Sequence, residues 1–330
     1  MQFPFDETFR PPPWLRGRHL QSVLPSLALR RWWILRRAAP LIGASRELVL
    51  DCGGGVRLLA LHAPAPAQVP ARRAVLLLHG WEGDASANYV LMLAQQLFER
   101  GFEVLRLNLR DHGGTQHLNR GLFHSCLLEE VVGAVRAARA LLPEHTLSLA
   151  GYSLGGNFLL RVAARAPREG LAIARVVAVS PVLDPAATLA AIEGAPLIYH
   201  RYFVRKWSAS LLAKQAAWPQ DYDFAEVIRL ADLRGMTDLL VRRFTPFGSL
   251  AQYLDGYAIT GDRLRELSIP ATIITAADDP IVPAAGLARL ASPAALRVVL
   301  TRRGGHCGFL ERMWARSWAE RVALRELECG

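Results

Sequence analysis

Short apolar segments alternate with longer helical segments along most of this chain, and that alternation constrains the fold more than any other feature. Six segments rich in leucine, valine and alanine have the length of strands: 74–78, 104–109, 147–150, 176–180, 271–275 and 296–300. Helical apolar spacing occupies 87–100, 127–142, 154–166, 284–290 and 312–328. Nearly continuous apolar strands separated by helices predict an α/β fold with a mostly parallel, doubly wound sheet.

Two segments fall outside this alternation. Residues 1–45 form an amino-terminal extension rich in proline, tryptophan and arginine, which we expect to pack on the core. Residues 184–265 separate the fourth and fifth apolar strands, which is too long for a simple crossover, and they combine helical periodicity with many aromatic residues. We therefore predict a helical lid insertion at 184–265 in a core made of 46–183 and 266–330. The core would open with a hairpin around the glycines at 53–55.

A serine stands at the turn between the third apolar strand and the helical segment after it. The strand runs directly into Gly151-Tyr152-Ser153-Leu154-Gly155, and helical apolar spacing follows. A strand, a tight glycine turn and a helix in this order are typical of a nucleophile elbow, which exposes a serine hydroxyl above the amino end of the helix. A capping serine at an ordinary turn is the alternative interpretation. The context favours Ser153 as a nucleophile.

A serine nucleophile needs a histidine base and an acid that orients the imidazole. Asp278 and Asp279 follow the fifth apolar strand, and His306 follows the last strand with two glycines before it. The order serine, acid, histidine and the position at the carboxyl ends of strands both agree with this chemistry. In many proteins of this fold class the acid precedes a two-residue step to Val or Ile and then Pro. Asp279-Pro280-Ile281-Val282-Pro283 has this spacing, which favours Asp279 as the acid. Asp278 would then be a turn or capping group.

Acyl transfer also requires hydrogen-bond donors for the oxyanion of its tetrahedral intermediate. The backbone N–H of Leu154, directly after the serine, is one predicted donor. The loop after the first apolar strand reads His79-Gly80-Trp81-Glu82-Gly83, a form that suits a turn with an amide pointing inward. The backbone N–H of Trp81 is therefore the second predicted donor.

Other histidines and one cysteine near these loops compete for chemical roles. We expect His79, directly after a buried strand, to hold its loop by hydrogen bonds rather than to act as a base. His112 and His124 follow the next strand and are predicted to be structural or to line the pocket. Cys307 lies beside His306, but the intact serine elbow makes it the less favoured nucleophile.

The formal net charge of +10 raises the question of a phosphate-rich partner. The arginines are scattered along the whole chain rather than clustered, which argues against nucleic-acid binding. The one local concentration lies between Arg30 and Arg37, where apolar and aromatic residues are flanked by arginine pairs. That composition suits peripheral membrane contact, whereas a helix packed on the fold with solvated ends is the simpler interpretation.

Composition indicates a globular protein of the cytoplasm, peripheral to the membrane if the segment from Arg30 to Arg37 binds lipid. Hydrophobic residues make up 52% of the chain, which allows a large core. No run approaches the roughly 18 apolar residues of a membrane span. The acidic start at Asp6-Glu7 lacks the basic and apolar regions of a signal peptide. The four cysteines show neither metal-ligand spacing nor a disulfide framework, and we expect reduced thiols.

With these motifs in place, the chain resembles the YheT-like branch of the α/β-hydrolase family, which includes abhydrolase esterases and phospholipases. The likeness extends over nearly the whole length. It is carried by the Phe-Arg-Pro-Pro-Pro-Trp-Leu segment at 9–15, His-Leu-Gln-Ser-Val-Leu-Pro at 19–25, His-Gly-Trp-Glu-Gly at 79–83, Asn-Leu-Arg-Asp at 108–111, Phe-His-Ser at 123–125 and Thr-Pro-Phe-Gly-Ser at 245–249 through Tyr253.

The resemblance implies the α/β-hydrolase fold and a carboxylic-ester hydrolase that uses Ser153, Asp279 and His306. It further implies acyl esters or lipid-like esters as small-molecule substrates, with no metal and no organic cofactor. Acyl transfer to alcohols, or hydrolysis of thioesters or amides by the same triad, is the main alternative, and a catalytically silent binding protein is another. One departure from the family is the loop after Asn108, which reads Arg-Asp-His-Gly-Gly and lies near the expected pocket.

Overall fold

The computed structural model describes residues 3–65 and 72–329. Its centre is a sheet with the strand order β1-β2-β4-β3-β5-β6-β7-β8. The strands are β1 (Arg46–Asp51), β2 (Arg57–Ala63), β3 (Arg73–Leu78), β4 (Glu103–Leu107), β5 (Thr146–Tyr152), β6 (Arg175–Val179), β7 (Ala271–Ala276) and β8 (Leu296–Thr301). The strands β1 and β2 form the predicted hairpin and run antiparallel, whereas β3 to β8 are parallel to one another.

Helices cover both faces of the sheet and extend beyond it. They are α1 (Arg18–Val23), α2 (Ala28–Arg37), α3 (Ala39–Ala44), α4 (Asn88–Glu99), α5 (Leu128–Leu141), α6 (Leu154–Arg165), α7 (Pro185–Gly194), α8 (Leu197–Ala217), α9 (Ala225–Leu230), α10 (Leu233–Phe244), α11 (Leu250–Gly256) and α12 (Trp318–Glu328). Short 3-10 helices occupy Pro13–Leu15, Leu24–Ser26, Asp262–Leu264 and Ala284–Arg289.

The two faces of the sheet bury separate apolar cores. On one face, α5 and α6 pack over the sheet, and on the other face α4 and α12 pack together with α2 and α3. The strands β4 and β7 are buried along their whole length, because helices shield both of their faces. The predicted doubly wound, mostly parallel α/β fold is therefore confirmed.

Two helix predictions differ from the structure. The segment at 284–290 forms a 3-10 helix over Ala284–Arg289 rather than an α-helix. Pro283 precedes it, and short 3-10 helices commonly serve such connections. The last helix begins at Trp318 rather than near residue 312, because Ser317 and Glu320 form a reciprocal capping box that fixes its first turn.

The amino-terminal extension lies against the carboxyl-terminal part of the chain. Phe5 forms a parallel bridge with Leu300 beside the last strand. The side chain of Arg30 is buried and donates to the carbonyl oxygen of Ala315 at 2.9 Å. The extension is thus attached to the same side of the fold that carries the loop after β8.

Between β6 and β7 the chain forms the five helices α7 to α11, in the segment that the sequence indicates as an insertion. Part of this insertion has a small apolar core of its own, built from Leu211, Phe224, Val227, Met236 and Leu240. No helix of the described residues is long and apolar enough to cross a membrane.

A buried ion pair fastens the insertion to the core. Lys214 of α8 is fully buried, and its Nζ lies 2.8 Å from Asp111 Oδ1. The same ammonium group donates to the carbonyl oxygens of Asn119 at 2.6 Å and Gly121 at 2.9 Å. Asp111 also accepts the backbone N–H of Phe123 at 2.8 Å. These bonds hold the long loop after β4 against α8.

Candidate active site

Ser153 occupies a strained turn between β5 and α6. Its backbone has φ 51° and ψ −119°, a conformation that non-glycine residues adopt only when the surrounding structure enforces it. A Cβ at Gly155 would meet the carbonyl oxygens of His79 and of Leu78, the latter at 2.5 Å. The close approach of α6 to the end of β3 therefore requires glycine at this position. The hydroxyl stands at the first turn of α6, as the elbow motif predicts.

The structure brings the side chains of Ser153, His306 and Asp279 together from three different loops. His306 Nε2 lies 3.0 Å from Ser153 Oγ, and His306 Nδ1 lies 2.8 Å from Asp279 Oδ2. The other carboxylate oxygen of Asp279 accepts the backbone N–H groups of Ile281 and Val282 at 2.8 and 2.9 Å. Those two bonds fix the carboxylate so that its free oxygen faces the imidazole.

Asp278 takes a different place. Its Oδ1 accepts the backbone N–H of Gly305 at 3.0 Å, so it braces the loop that carries His306 rather than the ring itself. Burial raises the pKa of the Asp278 carboxyl above its ordinary value, although the Gly305 N–H works in the opposite direction. Of the two adjacent acids, Asp279 is therefore the one that contacts the imidazole.

Burial and two neighbouring residues, Asp279 and Cys307, determine the pKa of the His306 imidazole. Burial lowers the pKa of the imidazole and is the largest single influence, but the Asp279 carboxylate and the neighbouring Cys307 together outweigh it. The net effect holds the pKa of His306 well above its ordinary value. Asp279 thus stabilises the imidazolium that forms when the ring accepts a proton.

The loop after β3 approaches the serine from the opposite side. A Cβ at Gly80 would lie 3.1 Å from the Cβ of Ser153, which shows how closely the two turns pack. The backbone N–H groups of Trp81 and Leu154 donate to no acceptor among the described residues. Both residues line the cavity that contains Ser153, and their role as oxyanion donors stays a prediction.

Contacts that the sequence analysis missed hold this loop in place. Tyr89 Oη accepts the N–H of Gly80 at 3.1 Å. The indole of Trp81 contacts two aromatic rings of α8: it stacks on Phe203 at a centroid distance of 5.4 Å and meets Trp207 edge-on at 5.2 Å. Lys206, between those two residues, donates to the carbonyl oxygen of Glu82 at 2.9 Å. No local sequence signal links α8 to the loop, because the contact joins residues more than a hundred positions apart.

A second group of missed residues supports the loop of His306 from the amino-terminal extension. Ser22 Oγ accepts the backbone N–H of His306 at 2.8 Å. Gln21 is fully buried, donates to the carbonyl oxygens of Leu15 and Leu310 at 2.7 and 2.8 Å, and accepts the N–H of Leu310 at 2.7 Å. Both residues belong to the segment at 19–25, which carries part of the family resemblance. That resemblance was the sequence signal from which a role near the site could have been predicted.

His79, His112 and His124 have structural or cavity-lining positions, as the sequence predicts. His79 Nε2 accepts the N–H of Leu109 at 3.1 Å, and His112 Nε2 accepts the N–H of Glu82 at 3.2 Å. Burial lowers the pKa of His79 to about 4 and that of His112 to about 3, so both rings are neutral. His124 lines the cavity beside the site, and burial lowers its pKa to about 4.

A cavity of about 570 Å³ opens onto Ser153 and His306. Its walls are mainly apolar and aromatic, and the insertion contributes a large share of them. The residues that line it include Trp81, Phe123, Leu154, Leu189, Ile192, Ile198, Tyr199, Tyr202, Phe203, Trp207, Tyr253, Leu254, Tyr257, Ile281 and Cys307. Small-molecule sites commonly have this volume and this apolar lining with few polar groups.

Comparison with known proteins agrees with this geometry. A family model described as alpha/beta hydrolase fold matches residues 73–312. The Escherichia coli (strain K12) protein named "Putative esterase YheT" is 28% identical over 316 residues, which cover 91% of this chain and 88% of that protein. Phospholipase ABHD3 of Mus musculus is 25% identical over 258 residues, which cover 74% of this chain and 60% of the mouse protein.

Solved structures show the same fold at lower sequence identity. The Pyrococcus furiosus esterase Pf2001 superimposes with a TM-score of 0.56 at 15% identity, covering 86% of this chain and 90% of that one. A membrane phospholipase A described as a bacterial virulence factor gives a TM-score of 0.55 at 16% identity, covering 91% and 92%. The resemblance to YheT-like proteins is confirmed, and the chain belongs to the alpha/beta hydrolase fold family.

Proposed function

We propose that this protein is a serine esterase that cleaves carboxylic esters through an acyl-enzyme on Ser153. The observation that carries the proposal is the hydrogen-bonded series from Ser153 Oγ through His306 to Asp279, with distances of 3.0 and 2.8 Å. A nucleophile, a base and an orienting acid in this geometry are what acyl transfer requires. The similarity to proteins named as esterases and phospholipases supports the same reaction class.

In the first half of the reaction, His306 accepts the proton of Ser153 as Oγ attacks the ester carbonyl carbon. Asp279 stabilises the resulting imidazolium and keeps Nε2 directed at the serine. The tetrahedral intermediate carries its negative charge on the former carbonyl oxygen. The amides of Trp81 and Leu154 are the proposed donors to that oxygen, and losing such a donor typically costs about 2.7–4 kcal/mol of transition-state stabilisation.

In the second half, His306 returns its proton to the leaving alcohol as the carbon–oxygen bond of the ester breaks. A water molecule then takes the place of the alcohol, and His306 removes a proton from it as it attacks the acyl carbon. As the second tetrahedral intermediate collapses, the bond between the acyl carbon and Ser153 Oγ breaks and His306 passes the proton it took from water to Oγ, which releases the carboxylic acid and restores the hydroxyl.

The proposed substrates are esters with short to medium acyl chains or lipid-like esters. Aromatic and aliphatic side chains from the insertion and the core surround the space next to Ser153. Such walls bind a hydrocarbon chain by removing apolar surface from water, at about 25 cal/mol per Å². We accordingly propose that the insertion at 184–265 acts as the lid over the acyl site.

The same acyl-enzyme permits a second function. An alcohol that enters the cavity in place of water would give acyl transfer, and thioesters or amides could acylate Ser153 by the same steps. If the apolar cavity excludes water, the acyl-enzyme reacts with the alcohol in preference to water, and acyl transfer is favoured over hydrolysis. Relative rates across substrate classes distinguish these reactions.

Labelling with a fluorophosphonate probe tests the nucleophile. We expect covalent labelling of the native protein and none in the Ser153→Ala variant, with full labelling of a Ser292→Ala control at an exposed serine. His306→Ala should also abolish labelling, because the serine then has no base. Equal labelling of Ser153→Ala and the native protein, or no labelling of the folded native protein, would sink the proposal.

A substrate panel tests the reaction class. Rates are measured with p-nitrophenyl esters of increasing acyl length, with matched thioesters and anilides, and with an added alcohol as acyl acceptor. We expect kcat/KM to be greatest for esters and to rise with acyl length until the cavity is filled. A preference for thioesters or anilides, or a product mixture dominated by the transferred ester, would replace ester hydrolysis with the alternative function.

A further inference from the structure

Large apolar side chains are exposed on two helices that border the cavity. On α2, Leu29 is 66% exposed and Trp32 is 58% exposed. On the first turns of α8, Leu197 is 66% exposed and Ile198 is 65% exposed. Exposed leucine, isoleucine and tryptophan in groups commonly mark an interaction surface.

These two helices both contribute side chains to the wall of the cavity, although they lie far apart in the sequence. Arg31 of α2 and Ile198 and Tyr202 of α8 are exposed to solvent and also line the cavity. Just behind them, Tyr199 Oη lies 3.2 Å from Nδ1 of His19 in α1, which joins α8 to the amino-terminal extension. We call the exposed side chains of α2 and of residues 197–205 the mouth surface.

The mouth surface is positively charged. No aspartate or glutamate occurs between Glu7 and Glu47, or between Glu193 and Asp221, although acids are frequent in the rest of the chain. Both helices lie within these acid-free stretches. The exposed arginines of the surface form no ion pair with any described residue, whereas many arginines elsewhere are paired with acids; they are Arg31, Arg36, Arg37, Arg201 and Arg205.

Glu193, just before α8, is paired with Arg234 at 2.7 Å, and two further carboxylates lie in the cavity rather than on this surface. Glu82 and Asp84 line the cavity and are half-buried. The carbonyl oxygen of Glu82 accepts from Lys206, and Asp84 accepts the N–H of Ser86 at 2.7 Å. They do not neutralise the outer arginines by direct contact.

The structure also corrects which side chains between Arg30 and Arg37 face outward. Arg30 is buried and donates to backbone carbonyl groups of the segment before α12, and Trp33 is half-buried against Trp314. Neither is available to an external partner. Trp32 is exposed and lies under the guanidinium of Arg36, 4.7 Å from its ring centroid. An aromatic ring with a cation beside it suits the interface between lipid headgroups and acyl chains.

We propose that the mouth surface docks this protein on anionic lipid membranes, so that the cavity opens toward the bilayer. Unpaired arginines attract an anionic leaflet, and the adjacent apolar side chains insert among the acyl chains. Nucleic acid is less well matched, because it offers no apolar region that could cover Leu29 and Leu197. The docking goes beyond the proposed function, since it requires no reaction at Ser153.

Flotation with lipid vesicles tests the proposal. The full-length Ser153→Ala variant is used, so that binding is measured without hydrolysis and does not depend on the proposed function. We expect it to float with vesicles of phosphatidylcholine containing roughly one-third phosphatidylglycerol, to bind phosphatidylcholine alone weakly, and to lose binding as salt is raised. No flotation with the anionic vesicles would overturn the proposal.

Matched variants test whether the mouth surface is the part of the protein that binds the vesicles. Leu29→Ser combined with Trp32→Ser, and Leu197→Ser alone, should each lower the partition coefficient about tenfold or more, because inserted apolar groups are lost. Arg36→Gln combined with Arg201→Gln should remove the dependence on phosphatidylglycerol. The control is Leu141→Ser, which changes a leucine that is 42% exposed at the end of α5 and should have little effect.

The same substitutions in a chain that retains Ser153 should leave hydrolysis of a soluble short-chain ester unchanged, which shows that they fold normally. Equal binding of the mouth-surface variants and Leu141→Ser would overturn the assignment. A loss of binding in the arginine double variant together with unchanged binding in the leucine and tryptophan variants would indicate simple electrostatic adsorption without insertion, which also contradicts the proposal. Competition by a DNA duplex with the same dependence on the leucines and arginines would reassign the surface to nucleic acid.

Discussion

The indole of Trp81 stacks on the ring of Phe203 with an interplanar angle of 15° and a centroid distance of 5.4 Å. Trp81 belongs to the loop that supplies a proposed oxyanion donor, and Phe203 belongs to α8 of the insertion. The insertion therefore has two functions in this structure: it lines the cavity, and it holds the loop on which the backbone donor lies. Several consequences of this arrangement can be measured.

Phe203→Ala should lower kcat for a soluble ester. The substitution removes the stacking partner of Trp81, so the Trp81 amide becomes less fixed, and a fall of about tenfold is expected as a fraction of the full loss of an oxyanion donor. The matched control is Phe244→Ala, which truncates a phenylalanine that packs within the insertion against Tyr222 and Phe224. Steady-state kinetics of both variants give the comparison. A higher KM at unchanged kcat would mean that Phe203 only lines the cavity.

Ser22→Ala should reduce activity through the loop of His306. The variant leaves the part-buried N–H of His306 without its acceptor, at a cost of about 1 kcal/mol, the lower end of the range for an unsatisfied donor. We expect kcat to fall while KM for a short ester changes little, since the substrate does not need to contact Ser22. Ser22→Thr keeps the hydroxyl and should retain most of the activity. If Ser22→Ala and Ser22→Thr behave alike, the hydrogen bond has no role in positioning the imidazole.

The pH dependence of kcat/KM should report His306. Only the neutral imidazole can accept the proton of Ser153, so activity rises as the pH increases through the pKa of His306. Because the Asp279 carboxylate holds that pKa well above its ordinary value, the acid limb should lie at a correspondingly high pH. Asp279→Asn should move the limb to lower pH and reduce the maximal rate.

A second group in the cavity also has a raised pKa and provides the control. Burial raises the pKa of Glu82 to about 7, so its ionisation could also shape the profile. In the Glu82→Gln variant the acid limb should stay where it is in the native protein. A limb that disappears in Glu82→Gln and is unmoved in Asp279→Asn would assign the profile to Glu82 instead.

Lys214→Met should destabilise the fold and loosen the insertion. It leaves the buried carboxylate of Asp111 without its partner ion and also removes the donor to the carbonyl oxygens of Asn119 and Gly121. Breaking a buried ion pair in this way costs about 3–5 kcal/mol in the free energy of unfolding. Urea unfolding followed by circular dichroism measures the loss. Lys206→Met changes the other lysine of the chain, which is exposed, and should cost less than about 1 kcal/mol.

The double variant Asp111→Asn with Lys214→Met separates charge from packing. If the cost of Lys214→Met comes from an unpaired buried carboxylate, neutralising Asp111 should recover part of the lost stability. Additive losses in the double variant would instead place the cost in the unpaired carbonyl groups and the changed packing.

Much of the fold and the main residues of the candidate site were open to prediction because their signals are local. The alternation of apolar strands and helices follows from burial on both faces of a parallel sheet, and it is readable without knowing which strands are neighbours. The elbow around Ser153 can be recognised from the sequence, because its tight turn requires glycines next to the serine. The loops of Asp279 and His306 could be anticipated because the carboxyl ends of parallel strands lie at one edge of the sheet.

Local signals were weaker where a boundary depends on capping or on the length of a short segment. Ser317 and Glu320 delay the start of the last helix, although apolar spacing suggests that it begins earlier. The segment after Pro283 has helical spacing but is short and forms a 3-10 helix. In both cases the hydrogen bonds of the first turn decide the outcome, and apolar periodicity does not report them.

The sequence by itself determined the fold class, the order of the site residues and the position of the serine turn, because periodicity and turn chemistry act between neighbours in the chain. The sequence already favoured Asp279 over Asp278, and the structure shows its contact with the imidazole. Only the tertiary structure decided that Ser22 braces His306 and that Phe203 packs on Trp81. It also decided that Arg30 turns inward while Trp32 faces solvent. These outcomes depend on which loops and helices come together across the sheet. Local periodicity and turn motifs do not report contacts between residues that are distant in the chain.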